Sequence, residues 1–285
     1  MMLPDQFLAS KSTDRFALFA TYDGHGSAMV SEHVRQNILR LLVERPEFSQ
    51  GDYEIAITKA FAEEDALLLK HAMDEDIEPV VAGSTVALCL VNLTKGIMVV
   101  GNVGDSHILL AKRDPQDESI VWQDRLTKAH KPDTAAEKKR IEDAGGAVHV
   151  YRGTARLGSL NMSRALGDLQ YKNPINTMDI SGTPKSKRAN AALPGERGNF
   201  LSNEPHVRRV ELDSGSRYAL LCSTDGVSDM TEEKKLMEDV MGDFVRGRTA
   251  ADIANRVTSI TARLPHSDNC TCVVAFFNGI ESQPT

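Results

Sequence analysis

The sequence predicts an α+β fold in which antiparallel strands form the sheets and helices pack against them. Three observations lead there. Apolar runs of strand length return on one another through short turns, as in Ser84–Leu93, Thr94-Lys95-Gly96 and Ile97–Val103. Helix-period stripes come in an early pair and a late pair, on either side of those strands. Strands and helices do not alternate one for one, so a parallel doubly wound sheet is not expected.

Taken in order, the first strand covers Arg15–Thr21. After Gly26, Val30, Val34, Ile38, Leu41 and Leu42 fall on one helical face, and Pro46 ends that helix. A second helix spans Asp52–Met73, with Ile57, Ala60, Phe61, Leu67 and Leu68 as its buried stripe. The hairpin over Ser84–Val103 follows. Gly104-Asp105-Ser106 interrupts it, and His107–Ala111 reads as the next strand of the same meander. Thr134 and Glu137 have capping-box spacing and open a short helix that Gly145-Gly146 stops. Strand-like pieces lie at Ala147–Tyr151 and Leu157–Ser163. From Gln170 to Glu204 periodicity is lost, and a stretch of that length without structure points to function or disorder. Order resumes at Val207. Helices are expected over Thr231–Met241 and Thr249–Leu264, the latter capped by Thr249, and a strand over Thr271–Phe277 closes the chain. The expected organisation is one domain over 1–285 with 170–204 as an irregular flap.

Composition excludes several classes. Hydrophobic residues make up 41% and charged residues 26%, the ordinary balance of a globular protein. A net charge of -7 repels nucleic acid and anionic membranes, so neither is an expected partner. Asn92, Thr94 and Lys95 break the most apolar stretch, Thr85–Val100, so no membrane span is expected, and no secretory signal is visible. Cys89, Cys222, Cys270 and Cys272 lie in or beside strand-like runs. Cys270-x-Cys272 alternates faces and chelates poorly, so reduced cysteines in a monomeric, intracellular (cytoplasmic or nuclear) protein are expected.

Three separated aspartates sit where an apolar run meets a turn: Asp23 in Asp23-Gly24-His25-Gly26, Asp225 in Asp225-Gly226, and Asp268 in Ser267-Asp268-Asn269. A carboxylate at a buried strand end is costly unless a cation neutralises it. Drawn together, the three would hold a hard divalent ion, with the Gly24 carbonyl able to approach it and His25 able to exchange protons near neutral pH. Each has a plainer reading as well. Asp23-Gly24 serves equally as an Asx turn, Asp268-Asn269 in isolation reads as a loop Asx pair, and Asp229 reads as a solvated charge. Asp105 is a fourth candidate, balanced between a ligand and a bulge that its own side chain stabilises. His107, His130, His149, His206 and His266 read as structural. An all-oxygen donor set selects Mg2+ or Mn2+ over zinc or copper, and pairs of such ions activate water and clamp phosphoryl oxygens. The chain has no phosphate-binding Gly-x-x-x-x-Gly-Lys loop, no Cys-x-x-x-x-x-Arg loop and no Gly-x-Ser-x-Gly elbow.

In order, these pieces resemble the metal-dependent protein phosphatases of type 2C. Phe16 through Gly26, Ala82-Gly83-Ser84-Thr85, Gly101 through Ser106 and Leu126 through Pro132 carry the first half of the resemblance. Glu137 through Gly146, Leu160 through Asp168, Ser202-Asn203-Glu204-Pro205, Ser223 through Asp229 and Ser267-Asp268-Asn269 carry the second. The resemblance implies a central antiparallel β-sandwich with helices on both outer faces, in four layers. It implies hydrolysis of phosphoserine and phosphothreonine in protein substrates, with a metal-bridged water as nucleophile. Asp23 would bridge two Mg2+ or Mn2+ ions, Gly24 would bind one through its carbonyl, and Asp225 and Asp268 would hold the other. Asp105 would contribute to a third, looser ion, and His25 would be the general acid. The 170–204 segment matches the family's flap.

The chain departs from that pattern at its start. It opens Met1-Met2-Leu3-Pro4-Asp5, with Asp5 matching an acidic ligand, Pro4 standing where Glu is expected, and no counterpart of an upstream phosphate-binding Arg. The opening strand is therefore expected to be missing. Ser228 replaces an aromatic, Ala129 an acid and His107 an Arg, and the last two are expected to retune a surface. The alternative to a phosphatase is a catalytically impaired relative that binds without turnover. A metal-dependent nuclease is disfavoured by the net negative charge.

Overall fold

The structure, a computed structural model, describes residues 14–74, 78–114, 116, 121–176, 178, 198–228, 231–265 and 268–279. Asp5, Pro4, Asp229, His266, the Ser228 side chain and the Lys185, Lys187, Arg188 cluster lie outside them, as do 177, 179–197 of the flap segment.

Strand β1 (Phe16–His25) leads into α1 (Met29–Val43), α2 (Pro46–Gln50), α3 (Tyr53–Met73) and α4 (Glu78–Val81). Strands β2 (Gly83–Asn92), β3 (Ile97–Val103), β4 (His107–Arg113) and β5 (Val121–Arg125) follow, then α5 (Ala135–Asp143). A small hairpin of β6 (His149–Tyr151) and β7 (Thr154–Arg156) precedes the two-residue β8 (Leu166–Gly167). The chain closes through β9 (His206–Glu211), β10 (Arg217–Ser223), α6 (Asp225–Ser228), α7 (Glu233–Val245), α8 (Ala250–Thr261) and β11 (Cys272–Asn278).

Two antiparallel sheets result. One runs β1-β2-β3-β9 with β8 also on β2, and the other runs β11-β10-β4-β5. Period-two alternation along β2 explains the layering. Ala87, Cys89 and Val91 point into a core shared with Ile108, Leu110, Leu220 and Cys222 of the facing sheet. Val86, Leu88 and Leu90 point the other way, onto Val34, Ile38, Ile57 and Phe61 of α1 and α3. On the far side, Leu109, Ala219, Leu221 and Val274 pack against Met237, Val240, Ile253 and Val257 of α7 and α8. The order of layers is helix, sheet, sheet, helix, the expected sandwich. Every residue of β2 is buried because both of its faces are covered.

Several sequence expectations are corrected. β4 does not continue the meander: it pairs with β10 in the other sheet, and Gly104-Asp105-Ser106 is where the chain crosses between sheets. That crossing is fixed by a Thr85 Oγ1···Ser106 Oγ contact of 2.6 Å and by the His130 N–H bonding the Gly104 carbonyl at 3.0 Å. Pro46 starts a short helix rather than only ending one, because its fixed φ suits the first helical position. Thr134 does not cap α5; its hydroxyl donates to the Lys131 carbonyl, and Glu137 is turned inward to Arg164 and Ser163. The strand expected at Leu157–Ser163 is a loop, and β5 is a strand that the pattern around Trp122 did not signal. Thr249 does cap α8, accepting from the Asp252 N–H at 3.1 Å. All four cysteines are unpaired. His107 is 3% exposed, so its replacement of Arg alters the interior and not a surface. Burial, with Arg125 and Lys131 beside it, pushes its pKa down to about 3 and keeps it neutral.

Candidate active site

The first acidic motif is built into a strand and not into a turn. β1 stays paired with β2 through Asp23↔Thr85, Gly24↔Ser84 and His25↔Gly83, and the chain turns only at Gly26, whose φ of 80° favours glycine. The missing Cβ of Gly24 makes room for α1, since a methyl there would stand 2.6 Å from the Ser31 hydroxyl. Asp225 likewise is not in a turn; it opens α6 directly after β10.

The second and third motifs are brought together by β10–β11 pairing, which ends at Ser223↔Cys272. Just beyond, Thr224 ties the two chain ends: its N–H bonds the Thr271 carbonyl at 3.1 Å, and its hydroxyl donates to the Asn269 carbonyl at 3.3 Å. Gly226 completes the contact, because a Cβ there would stand 2.4 Å from the Asn269 carbonyl oxygen. Neither Thr224 nor the reason for Gly226 can be read from the sequence, where the two segments are 45 residues apart.

Asp23 and Asp225 meet across the sheets, within hydrogen-bonding reach of one another. Burial drives the Asp23 pKa upward, the Asp225 bond opposes it, and Asp105 and Asp268 add further upward pressure, so the group stands above its ordinary value. Asp105 is 1% exposed and is paired with Lys131. Asp268 is exposed and accepts from the Asn269 N–H at 2.7 Å, which is the Asx pattern. No three His, Cys, Asp or Glu side chains among the described residues converge on one chelating point. Asp23 and Asp225 thus lie together, with the Asp105 and Asp268 carboxylates at electrostatic range. The chemistry of that set suits a hard divalent ion, because every donor is a carboxylate oxygen.

His25 faces a partner that sequence reasoning did not single out. Its Nε2 lies 2.6 Å from the Asp168 Oδ2, and Asp168 is 1% exposed. Burial works to lower the His25 pKa; Asp168, with Asp23 and Asp105 behind it, outweighs burial and raises it above the ordinary imidazole value. Asp168 lies in the Arg164-Ala165-Leu166-Gly167-Asp168 run, where nothing in one dimension indicates a histidine 143 residues away. Behind it, the buried Asp65 of α3 accepts from the Gly167 N–H at 2.8 Å, from Lys172 at 2.8 and 2.9 Å and from Asn203 at 3.0 Å. One carboxylate therefore ties down both ends of the 170–204 segment.

Comparisons with known proteins bear on this arrangement. A family model described as protein phosphatase 2C matches residues 1–269. The chain is 28% identical over 278 residues to "Probable protein phosphatase 2C 4" of Paramecium tetraurelia, covering 92% of this chain and 83% of that protein. It is 27% identical over 260 residues to "Protein phosphatase 2C homolog 2" of Saccharomyces cerevisiae, covering 91% of this chain and 49% of that protein. A solved serine-threonine phosphatase 2C from Toxoplasma gondii superposes with a TM-score of 0.72 at 24% identity, covering 95% of this chain and 87% of that one. A solved C. elegans sex determining protein superposes at 0.70 and 23% identity, covering 93% of this chain and 57% of that one. At those identities the two structures speak to the fold.

Proposed function

Because the chain belongs to the protein phosphatase 2C family of metal-dependent serine/threonine phosphatases, we propose that it hydrolyses phosphoserine and phosphothreonine in proteins at a binuclear Mg2+ or Mn2+ centre. The observation that supports this is that Asp23 and Asp225 meet where the sheets face each other, with Asp105 and Asp268 close enough to raise the Asp23 pKa and His25 two residues along the same strand. Asp23, Asp225, Asp268 and the Gly24 carbonyl would hold two ions, with Asp105 at a third, looser position. Bound there, the ions would neutralise the phosphoryl oxygens and make a water acidic enough to act as nucleophile at neutral pH.

The chain's own groups supply the rest. His25 would give its proton to the departing serine or threonine oxygen, a poor leaving group without one. A raised imidazole pKa supports that role, since the acid must be protonated when the ester arrives. Lys131 tempers the negative charge of Asp105, so the acidic cluster does not simply repel a phosphate dianion.

The test is phosphate release from a phosphothreonine peptide with Mn2+ and with a chelator, for wild type and Asp225→Asn. Activity is expected to fall to background with chelator and in the variant; activity that survives both overturns the reading. Metal-loaded wild type with no turnover on any phosphopeptide would make the chain a binding module instead.

A further inference from the structure

We propose that Asp168 is the positioning residue for His25, forming with it a carboxylate–imidazole couple that holds the proton donor in place for the departing serine or threonine oxygen. The inference rests on the assignment of His25 as general acid. Four independent features of the fold press this carboxylate against this ring. The Asp168 backbone is in the left-handed region at φ 49°, an uncommon state for a residue other than glycine. Its N–H bonds the Ala82 carbonyl at 2.8 Å and its carbonyl accepts from the Tyr171 N–H at 3.0 Å, so the conformation is fixed from both sides. β8 pairs with β2 at Gly83↔Gly167, which lays the Asp168 side chain over the end of β1. Gly83 leaves the space: a Cβ there would stand 2.1 Å from the Asp168 Oδ2 and 2.8 Å from the His25 Nε2.

The chemistry fits the same role. A carboxylate buried to 1% exposure is costly, and among the described residues its side-chain partner is His25 alone. A core built only for stability is served as well by an apolar pair. The other ring nitrogen, Nδ1, is buried, and among the described residues no protein group bonds it. An imidazole whose Nε2 is held by a carboxylate has one nitrogen left for the reaction. The oxygen of a bound phosphate ester is an acceptor of the kind that nitrogen lacks.

Leaving-group chemistry separates this role from a structural one. An alkyl phosphate such as a phosphothreonine peptide needs a proton on the departing oxygen; p-nitrophenyl phosphate does not, because its phenolate is stable. Asn tolerates the left-handed backbone, so Asp168→Asn removes the charge with little strain. With Mn2+, Asp168→Asn is expected to lower kcat on the phosphothreonine peptide about 10- to 100-fold, a part of what general acid catalysis supplies, with KM nearly unchanged. On p-nitrophenyl phosphate kcat is expected to stay within about threefold. In a His25→Gln background the Asp168→Asn change is expected to add almost nothing, because the two act as a unit. A second readout needs no metal and no turnover. In 15N-histidine-labelled protein without metal, a slowly exchanging imidazole N–H proton, assigned by its loss in His25→Gln, is expected to disappear in Asp168→Asn. Asp168→Gly, which also tolerates φ 49°, serves both assays if the Asn variant does not fold. Equal losses on both substrates, additive effects in the double variant, or an unchanged imidazole signal would overturn the role of Asp168. A His25→Gln enzyme that loses nothing on the peptide would instead overturn the assignment of His25 itself.

Discussion

Asp65 is expected to be among the most sensitive charged positions of the chain, and Asp65→Asn tests why. Asp65 is 6% exposed and its partner Lys172 is 4% exposed, so neither charge is well solvated. At a separation of 2.8 Å and an effective dielectric constant of about 20, the gross attraction is about 6 kcal/mol. Asparagine retains the shape and an acceptor for the Gly167 N–H, and Lys172 keeps its 2.9 Å bond to the Ala165 carbonyl. What is lost is the counter-charge, and removing one member of a buried pair costs about 3–5 kcal/mol. The retained contacts place Asp65→Asn at the lower end, about 3–4 kcal/mol. Urea denaturation followed by circular dichroism measures this as a lower midpoint at unchanged slope. The double variant Asp65→Asn/Lys172→Met should recover at least half of the loss, because the stranded ammonium goes with it. A single-variant loss below about 1 kcal/mol, or a double variant no more stable than the single, would refute the account of Asp65 as a counter-charge. Since Asp65 also holds Gly167 and Asn203, the destabilised variant should lose phosphatase activity at temperatures where its global fold persists.

Three other outcomes follow from the structure. Burial, with Asp65 adding to it, pushes the fully buried Glu64 from 4.5 up to about 8. A raised folded pKa means that its contribution is intact below pH 4.5 and is lost as pH rises through 8. Wild type should therefore lose stability relative to Glu64→Gln by up to about 1.4 kcal/mol per pH unit in that window, read from urea midpoints across pH; parallel curves would contradict it. Gly226→Ala drives a methyl into the Asn269 carbonyl, and should cost about 1–3 kcal/mol while weakening Mn2+ binding by calorimetry. Gly83→Ala drives a methyl against the buried Asp168 carboxylate and the His25 Nε2; it should cost about 1–3 kcal/mol, read as a lower thermal midpoint, while peptide turnover falls at least as far as in Asp168→Asn.

Much of this protein was legible in one dimension. Period-3.6 stripes at Val30, Val34, Ile38 and at Ile57, Ala60, Phe61 gave α1 and α3, because a helix on a sheet must present one apolar face. The run from Ser84 to Leu93 marked a strand, and the structure buries both of its faces. The aspartates proposed as ligands, Asp23, Asp225 and Asp268, also stood out, because carboxylates beside apolar runs are conspicuous. Local chemistry did not carry further. Asp23 and Gly24 read as a turn because Asp-Gly usually is one; cross-strand pairing with Thr85 and Ser84 overrode that preference. His107 read as a surface residue because its burial depends on a strand that changes sheets.

The sequence by itself determined which segments are amphipathic and which acids are candidates for an ion. Tertiary structure alone decided which of those acids meet, that Thr224 and Gly226 knit Asp225 to Asp268, and that His25 rests on Asp168. The physical reason is range. Periodicity and turn chemistry act over a few residues, whereas the Asp23–Asp225 and His25–Asp168 contacts span more than a hundred residues of chain and exist only once both sheets have formed.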